Sequence, residues 1–168
     1  MTNTKVPRTI HPGTRIGHIH LKVADLERSI HFYSEVLGFE ITSRIGNSAA
    51  FLSAGGYHHH IGLNTWESAH GSPPPRGSTG LYHFAILLPN RKALARVFQR
   101  LIDHKWPIEG ASDHGVSEAI YLRDPDDNGI EIYADRPKNK WPKEKSGKLA
   151  MQTKALDIDN LMNEIDDS

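Results

Sequence analysis

Residues 16–25, IGHIHLKVAD, and residues 81–90, LYHFAILLPN, decide the fold. In the first stretch Gly17, Ile19, Leu21 and Val23 alternate with His18, His20 and Lys22, which is the two-residue period of a strand with one apolar face. The second stretch reads as a strand over residues 81–88, with His83 where the first has His18. Asp25 and Asn90 then hold the same place in each stretch, and both are good helix N-caps. Beyond Asp25, Leu26, Ile30, Tyr33, Val36 and Leu37 recur at helical spacing until Gly38 stops the run. Beyond Asn90, Leu94, Val97, Phe98, Leu101 and Ile102 do the same. With His18 laid on His83, Val23 matches Leu88, Tyr33 matches Phe98 and Leu37 matches Ile102.

Each helix is followed by three short strands. In the first half they are expected near 39–45, 49–54 and 58–66, and in the second near 107–109, 117–123 and 128–134. The fold class is therefore α+β: two β-α-β-β-β repeats, at about 15–66 and 81–136, whose strands form a cup-shaped mixed sheet. The segment 70–80, HGSPPPRGSTG, reads as a connecting loop. A loose arm over 1–14 precedes the domain at 15–136. A tail over 137–168 follows it and ends in a short amphipathic helix capped by Asp157, with Ile158, Leu161, Met162 and Ile165 as its stripe. That stripe reads as packing against the domain or a second subunit.

The 168 residues carry 20 basic and 20 acidic side chains, so no basic stripe argues for nucleic acid. No apolar run reaches the length of a membrane span, and the first 14 residues lack the apolar core of a signal peptide. Cysteine is absent, which excludes disulfides and thiolate ligands and makes a cytoplasmic location the expectation. A metal site in this chain must use His, Asp or Glu, and there are 11 histidines from which to choose.

Three of four repeat-related corners carry such residues. His18 and His83 match on the first strands, and Glu131 lies on the last strand of the second half, with Gly62 as its counterpart. A carboxylate inside an apolar strand costs several kcal/mol (order of magnitude) unless it is paired. A divalent cation between two imidazoles supplies the pairing. Two His and one carboxylate with open positions is the ligand set of non-haem Fe(II) oxygenases, and Mn(II) accepts the same set.

These residues also carry a resemblance. Gly17-His18, Asp25 to Ser29, Phe32-Tyr33 and Leu37-Gly38-Phe39 resemble the opening strand and helix of the vicinal-oxygen-chelate superfamily. That group includes glyoxalase I, bleomycin- and fosfomycin-resistance proteins and extradiol dioxygenases. Asp124-Pro125-Asp126 and Asn128 to Glu131 resemble its closing strand. His114, Ile120-Tyr121, Asp124-Pro125 and Glu131 further resemble the extradiol dioxygenase motif, with Ser112 and Asp127 as departures. Much of the chain is similar to the N-terminal half of two-module catechol 2,3-dioxygenases.

The resemblance implies an Fe(II)-dependent enzyme that opens a catechol-like ring with O2. His18, His83 and Glu131 would be its metal ligands. His60 would be the proton-handling histidine, and His114 and Tyr121 would hydrogen-bond the substrate. His58 and His59 read as surface or packing residues. With one module where such enzymes have two, a homodimer is expected. The alternatives are a glyoxalase-type isomerase, disfavoured because Gly62 cannot act as a fourth ligand, and a drug-binding resistance protein without the metal set.

Overall fold

The computed structural model describes residues 9–166, so much of the expected N-terminal arm lies outside it. The chain forms two mixed sheets. β1 (Ile19–Lys22), β2 (Glu40–Ile45), β3 (Ala49–Ser53) and β4 (Ile61–Asn64) build the first, in the order β1-β4-β3-β2. β5 (Phe84–Leu88), β6 (Ile108–Asp113), β7 (Ser117–Arg123), β8 (Gly129–Asp135) and β9 (Lys154–Ala155) build the second, in the order β5-β8-β7-β6-β9.

The duplication is visible in the register. β1 runs parallel to β4 with Ile19 opposite Ile61, and β5 runs parallel to β8 with Phe84 opposite Ile130. That register makes His18 equivalent to His83 and Gly62 equivalent to Glu131. Even the irregularities repeat: a bulge falls between Ile41 and Ser43 in β2 and between Ile108 and Gly110 in β6.

Each half has its helix. α1 (Leu26–His31) starts where the Asp25 carboxylate accepts from the Arg28 amide, and α2 (Arg91–Asp103) where the Asn90 side chain accepts from the Ala93 amide. After α1 the chain widens into a π-helical turn over Phe32–Val36, closed by Leu37 N–H donating to the Phe32 carbonyl at 3.0 Å. Gly38, at φ +90°, then turns the chain into β2. α1 and this turn bury Leu26, Ile30, Phe32, Tyr33 and Val36, while α2 buries Leu94 and Leu101. The apolar sides of β4, β7 and β8 complete the core with Ile61, Leu63, Ile120, Leu122, Ile130 and Ile132.

The halves join through polar contacts between α1 and the turn linking β7 to β8. Asp126 accepts from the Ala24 amide at 3.2 Å, the Arg28 guanidinium at 2.5 Å and the Ser29 hydroxyl at 3.3 Å. Beside this clamp Phe32 packs on Trp106 with ring centroids 4.4 Å apart. The ninth strand was not expected. The tail returns to pair Lys154 with Asp113 and Ala155 with Ser112, then ends in α3 (Ile158–Asp166), which packs on α2 and fully buries Leu161. No helix among the described residues is long and apolar enough to cross a membrane.

Candidate metal centre

His83 precedes β5 by one residue, and Glu131 stands on β8 on the face opposite the buried Ile130 and Ile132. The two strands approach so closely that Gly129 has no alternative. A Cβ at that position would lie 2.2 Å from the Tyr82 carbonyl oxygen. This approach sets His83 Nε2 3.1 Å from Glu131 Oε2. Two donors on one ion at about 2.1 Å each, roughly a right angle apart, are separated by about 3 Å, so the pair has the spacing of two metal ligands.

The other Glu131 oxygen is also occupied. Tyr121 Oη donates to Oε1 at 3.0 Å, and His114 Nε2 lies 2.7 Å from the same phenol oxygen. Burial first, then the hydrogen bond and charge of Glu131, push the Tyr121 phenol up to about 12, so it remains a neutral donor. Glu131 links His83 to Tyr121, and Tyr121 links on to His114. His83, Tyr121 and His114 line an open cleft of about 360 Å³, as does Thr153 of the tail. Of the six expected site residues, the structure thus brings together His83, Glu131, Tyr121 and His114, all at the second sheet.

His18 and His60 are elsewhere. His18 lies just before β1 in the first sheet, its ring 4.4 Å from His59. Among the described residues no three His, Asp or Glu side chains converge as an ion's ligands would. The single chain therefore does not assemble the expected triad. It carries His83 with Glu131 on one sheet and His18 on the other. The pattern of repeats could not distinguish these outcomes, because equivalent corners look the same whether or not they face one another within one chain.

The first sheet presents a histidine surface. His58 and His59 contact through their Nδ1 atoms at 2.8 Å, and the rings of His18, His58 and Phe51 all lie within 5.0 Å of that of His59. Partial desolvation and then the charges of His18, His58, His20 and His60 lower the His59 pKa. His60 is firmly oriented: its Nδ1 accepts from the Ala54 amide at 3.3 Å and meets the Ser53 hydroxyl at 3.1 Å. Since Nδ1 accepts, the neutral ring carries its hydrogen on Nε2. The side-chain-free corner at Gly62 is roofed by His20, whose ring atoms would lie 3.0 Å from an added Cβ.

A larger groove of about 850 Å³ borders Arg91, Glu118 and Arg136 at another part of the second sheet. Its arginines are already engaged, Arg91 with Glu118 and Glu164, and Arg136 with Asp113 and Glu118. It reads as a structural ion network.

The sequence matches the model of the glyoxalase/bleomycin resistance protein/dioxygenase superfamily over residues 15–132. The chain belongs to that superfamily. It is 46% identical over 159 residues to a catechol-2,3-dioxygenase of Bacillus subtilis, covering 95% of this chain and 55% of that protein. It is 27% identical to a manganese-dependent 2,3-dihydroxybiphenyl 1,2-dioxygenase of Geobacillus genomosp. 3, covering 80% of this chain and 41% of that one. The chain thus spans about half the length of these curated relatives. Among solved structures, a glyoxalase/dioxygenase from Nostoc punctiforme superposes with a TM-score of 0.63 at 22% identity, covering 79% of this chain and 99% of that one. This likeness shows the fold that the two share.

Proposed function

We propose that the chain is an extradiol-type dioxygenase, opening a catechol-like ring with O2 at a divalent metal, Fe(II) or Mn(II). His83 and Glu131 would hold the ion, with His18 as third ligand. The observation that carries this reading is the 3.1 Å approach of His83 Nε2 to Glu131 Oε2 beside a hydrogen-bonded Tyr121 and His114. The 46% identity to a catechol-2,3-dioxygenase supports the same chemistry. When bound, such an ion supplies a Lewis-acid, redox-capable centre with open positions that two catecholate oxygens can chelate.

The rest falls to the chain's own groups. Glu131 is held in place by the Tyr121 hydroxyl, and His114 holds Tyr121 in turn. Both face the cleft, where they would hydrogen-bond the oxygens of a bound catechol. His60, with its Nε2–H free of the Ala54 contact, would give and take protons near the reacting ring.

His18 and His60 stand on the first sheet, so this reading requires the expected homodimer. Each copy presents a His18 surface and a His83–Glu131 surface, and a two-fold axis would set each against its complement. Exposed apolar side chains lie on both sheets. Tyr82 is 87% and Leu87 55% exposed beside the Glu131 surface, and Trp66 is 60% exposed beside His20. The test is anaerobic loading with Fe(II) or Mn(II), followed by O2 uptake and product absorbance over a panel of catechols. A metal-replete dimer that turns over none of them overturns the reading.

A further inference from the structure

The tail, which the sequence presents as packing only, reaches the candidate site. Gln152 N–H donates to the His114 carbonyl at 3.2 Å, and β9 pairs with the two residues that precede His114. Gly115, at φ +75°, leaves room for the returning chain, since a Cβ there would lie 2.8 Å from Pro142 and 3.3 Å from Gln152. Beyond β9, the buried Leu156 and Leu161 and the bonds from Arg91 to Asn160 and Glu164 anchor the segment. The segment is thus a strap tied down on both sides of His114.

The strap also touches the imidazole. His114 Nδ1 lies 3.2 Å from the Gln152 carbonyl oxygen and 3.3 Å from Thr153 Oγ1. A backbone carbonyl only accepts, so that bond requires a hydrogen on Nδ1. A neutral ring then has a bare Nε2 facing the Tyr121 hydroxyl at 2.7 Å. The phenol has one hydrogen to give. If it goes to Nε2, the bond to Glu131 is not made; if it goes to Glu131, Nε2 must bring its own hydrogen and the ring is cationic. In both states the Nδ1 hydrogen stays with the strap, and Nε2 is the atom that gains or loses a proton. We propose that the Gln152 carbonyl is the positioning group that fixes His114 in its Nδ1–H form, making Nε2 the proton-exchanging atom toward Tyr121 and Glu131. The catalytic consequence rests on the ring-cleavage reading, whereas the placement of the hydrogen does not.

The experiment uses the metal-free full-length chain labelled with ¹⁵N at histidine. His114 signals are assigned by their loss in His114→Gln. Long-range ¹H–¹⁵N spectra should show His114 protonated on Nδ1, whether the ring is neutral or cationic. A neutral His114 with its hydrogen on Nε2 would overturn the proposal, because the carbonyl would then hold nothing. Thr153→Val should keep the Nδ1 hydrogen, since the Gln152 carbonyl remains, and its loss in this variant also overturns the assignment. Lys154→Pro removes a donor from the β9 pairing and should release His114 into mixed tautomers. In the metal-loaded protein the same variant should lower kcat about 10- to 100-fold, the scale of outer-sphere changes, with KM and metal content little altered. Retention of both tautomer and turnover in a folded Lys154→Pro chain counts against the proposal. A His114 held as Nδ1–H in a protein that cleaves no catechol would sink the ring-cleavage reading and leave the strap's role standing.

Discussion

The hydroxyl of Tyr33, buried in the first half, donates a 2.8 Å hydrogen bond to the Asp124 carboxylate, buried in the second. Asp124 also accepts from the Asp126 and Asn128 amides and from the Asn128 side chain. One charge therefore shapes the turn before β8 and ties it to the helical segment of the other repeat.

Tyr33→Phe should cost about 1.5–3 kcal/mol, the range for hydrogen bonds to charged groups, measured by urea unfolding. Burial, then the Asp124 charge and hydrogen bond, raise the Tyr33 pKa well above 10. A raised folded-state pKa means the unfolded chain loses this proton first. The difference between wild type and Tyr33→Phe should thus be constant below pH about 10 and shrink as pH climbs beyond it. A difference that grows at alkaline pH would contradict the assignment.

Replacing His83, Glu131 or His18 by alanine should weaken metal binding by more than the roughly 10–100-fold that an outer-sphere change costs. Competition against a chelator measures this directly. If His18→Ala alone leaves affinity unchanged, the ion is held by the second sheet without it.

Mixing two inactive variants separates a cross-chain site from an in-chain one. A dimer of one His18→Ala chain and one Glu131→Ala chain would keep one centre with both native residues and lose both in the other. Refolding the variants together should restore up to about half of wild-type activity per mixed dimer, since one of its two symmetric sites survives. No recovery in a verified heterodimer would place all ligands within one chain.

His60→Phe should retain metal and dimer while turnover drops about 10²–10⁴-fold, the usual contribution of a general acid–base group. Stopped-flow ring cleavage beside elemental analysis decides this. A metal-replete variant at wild-type speed would leave His60 with only its Ser53 and Ala54 contacts as a role.

Gly129→Ala should destabilise the chain by about 1–3 kcal/mol, as overpacking does, because its Cβ would collide with the Tyr82 carbonyl. Relief of the clash must part β5 from β8, so metal affinity should fall along with thermal stability. Loss of one without the other would show that Gly129 does not set the His83–Glu131 distance.

The duplicated half was legible because its signals are local. The Asp25 and Asn90 caps sit where the sequence puts them, and the alternation of β1 and β5 survives in the structure, although both ladders are shorter than the pattern. His18 and His83 fall outside those ladders, as do the residues expected to open and close β4. The π-helical turn left no trace in the periodicity, since Phe32, Tyr33 and Val36 satisfy an ordinary helical stripe equally well. Glu131 was legible because a carboxylate among isoleucines is costly. Gln152 and Thr153 were not legible: they lie in no periodic run, and their meeting with His114 depends on a return of the chain across 38 and 39 positions.

The ninth strand has another consequence, for the chain as a solute. By pairing with Ser112 and Asp113, β9 occupies hydrogen-bonding positions along the outer margin of β6. The matching margin of the first sheet is β2, which carries exposed Ile41 and Ile45 and is interrupted by its bulge. A chain cut before Lys154 would leave the outer margin of β6 unpaired at Ser112 and Asp113, beyond its own bulge, and an unpaired strand margin is a template for the next molecule. Trimming the tail would therefore make the chain more prone to edge-to-edge stacking, visible as light scattering that grows with concentration before any unfolding transition.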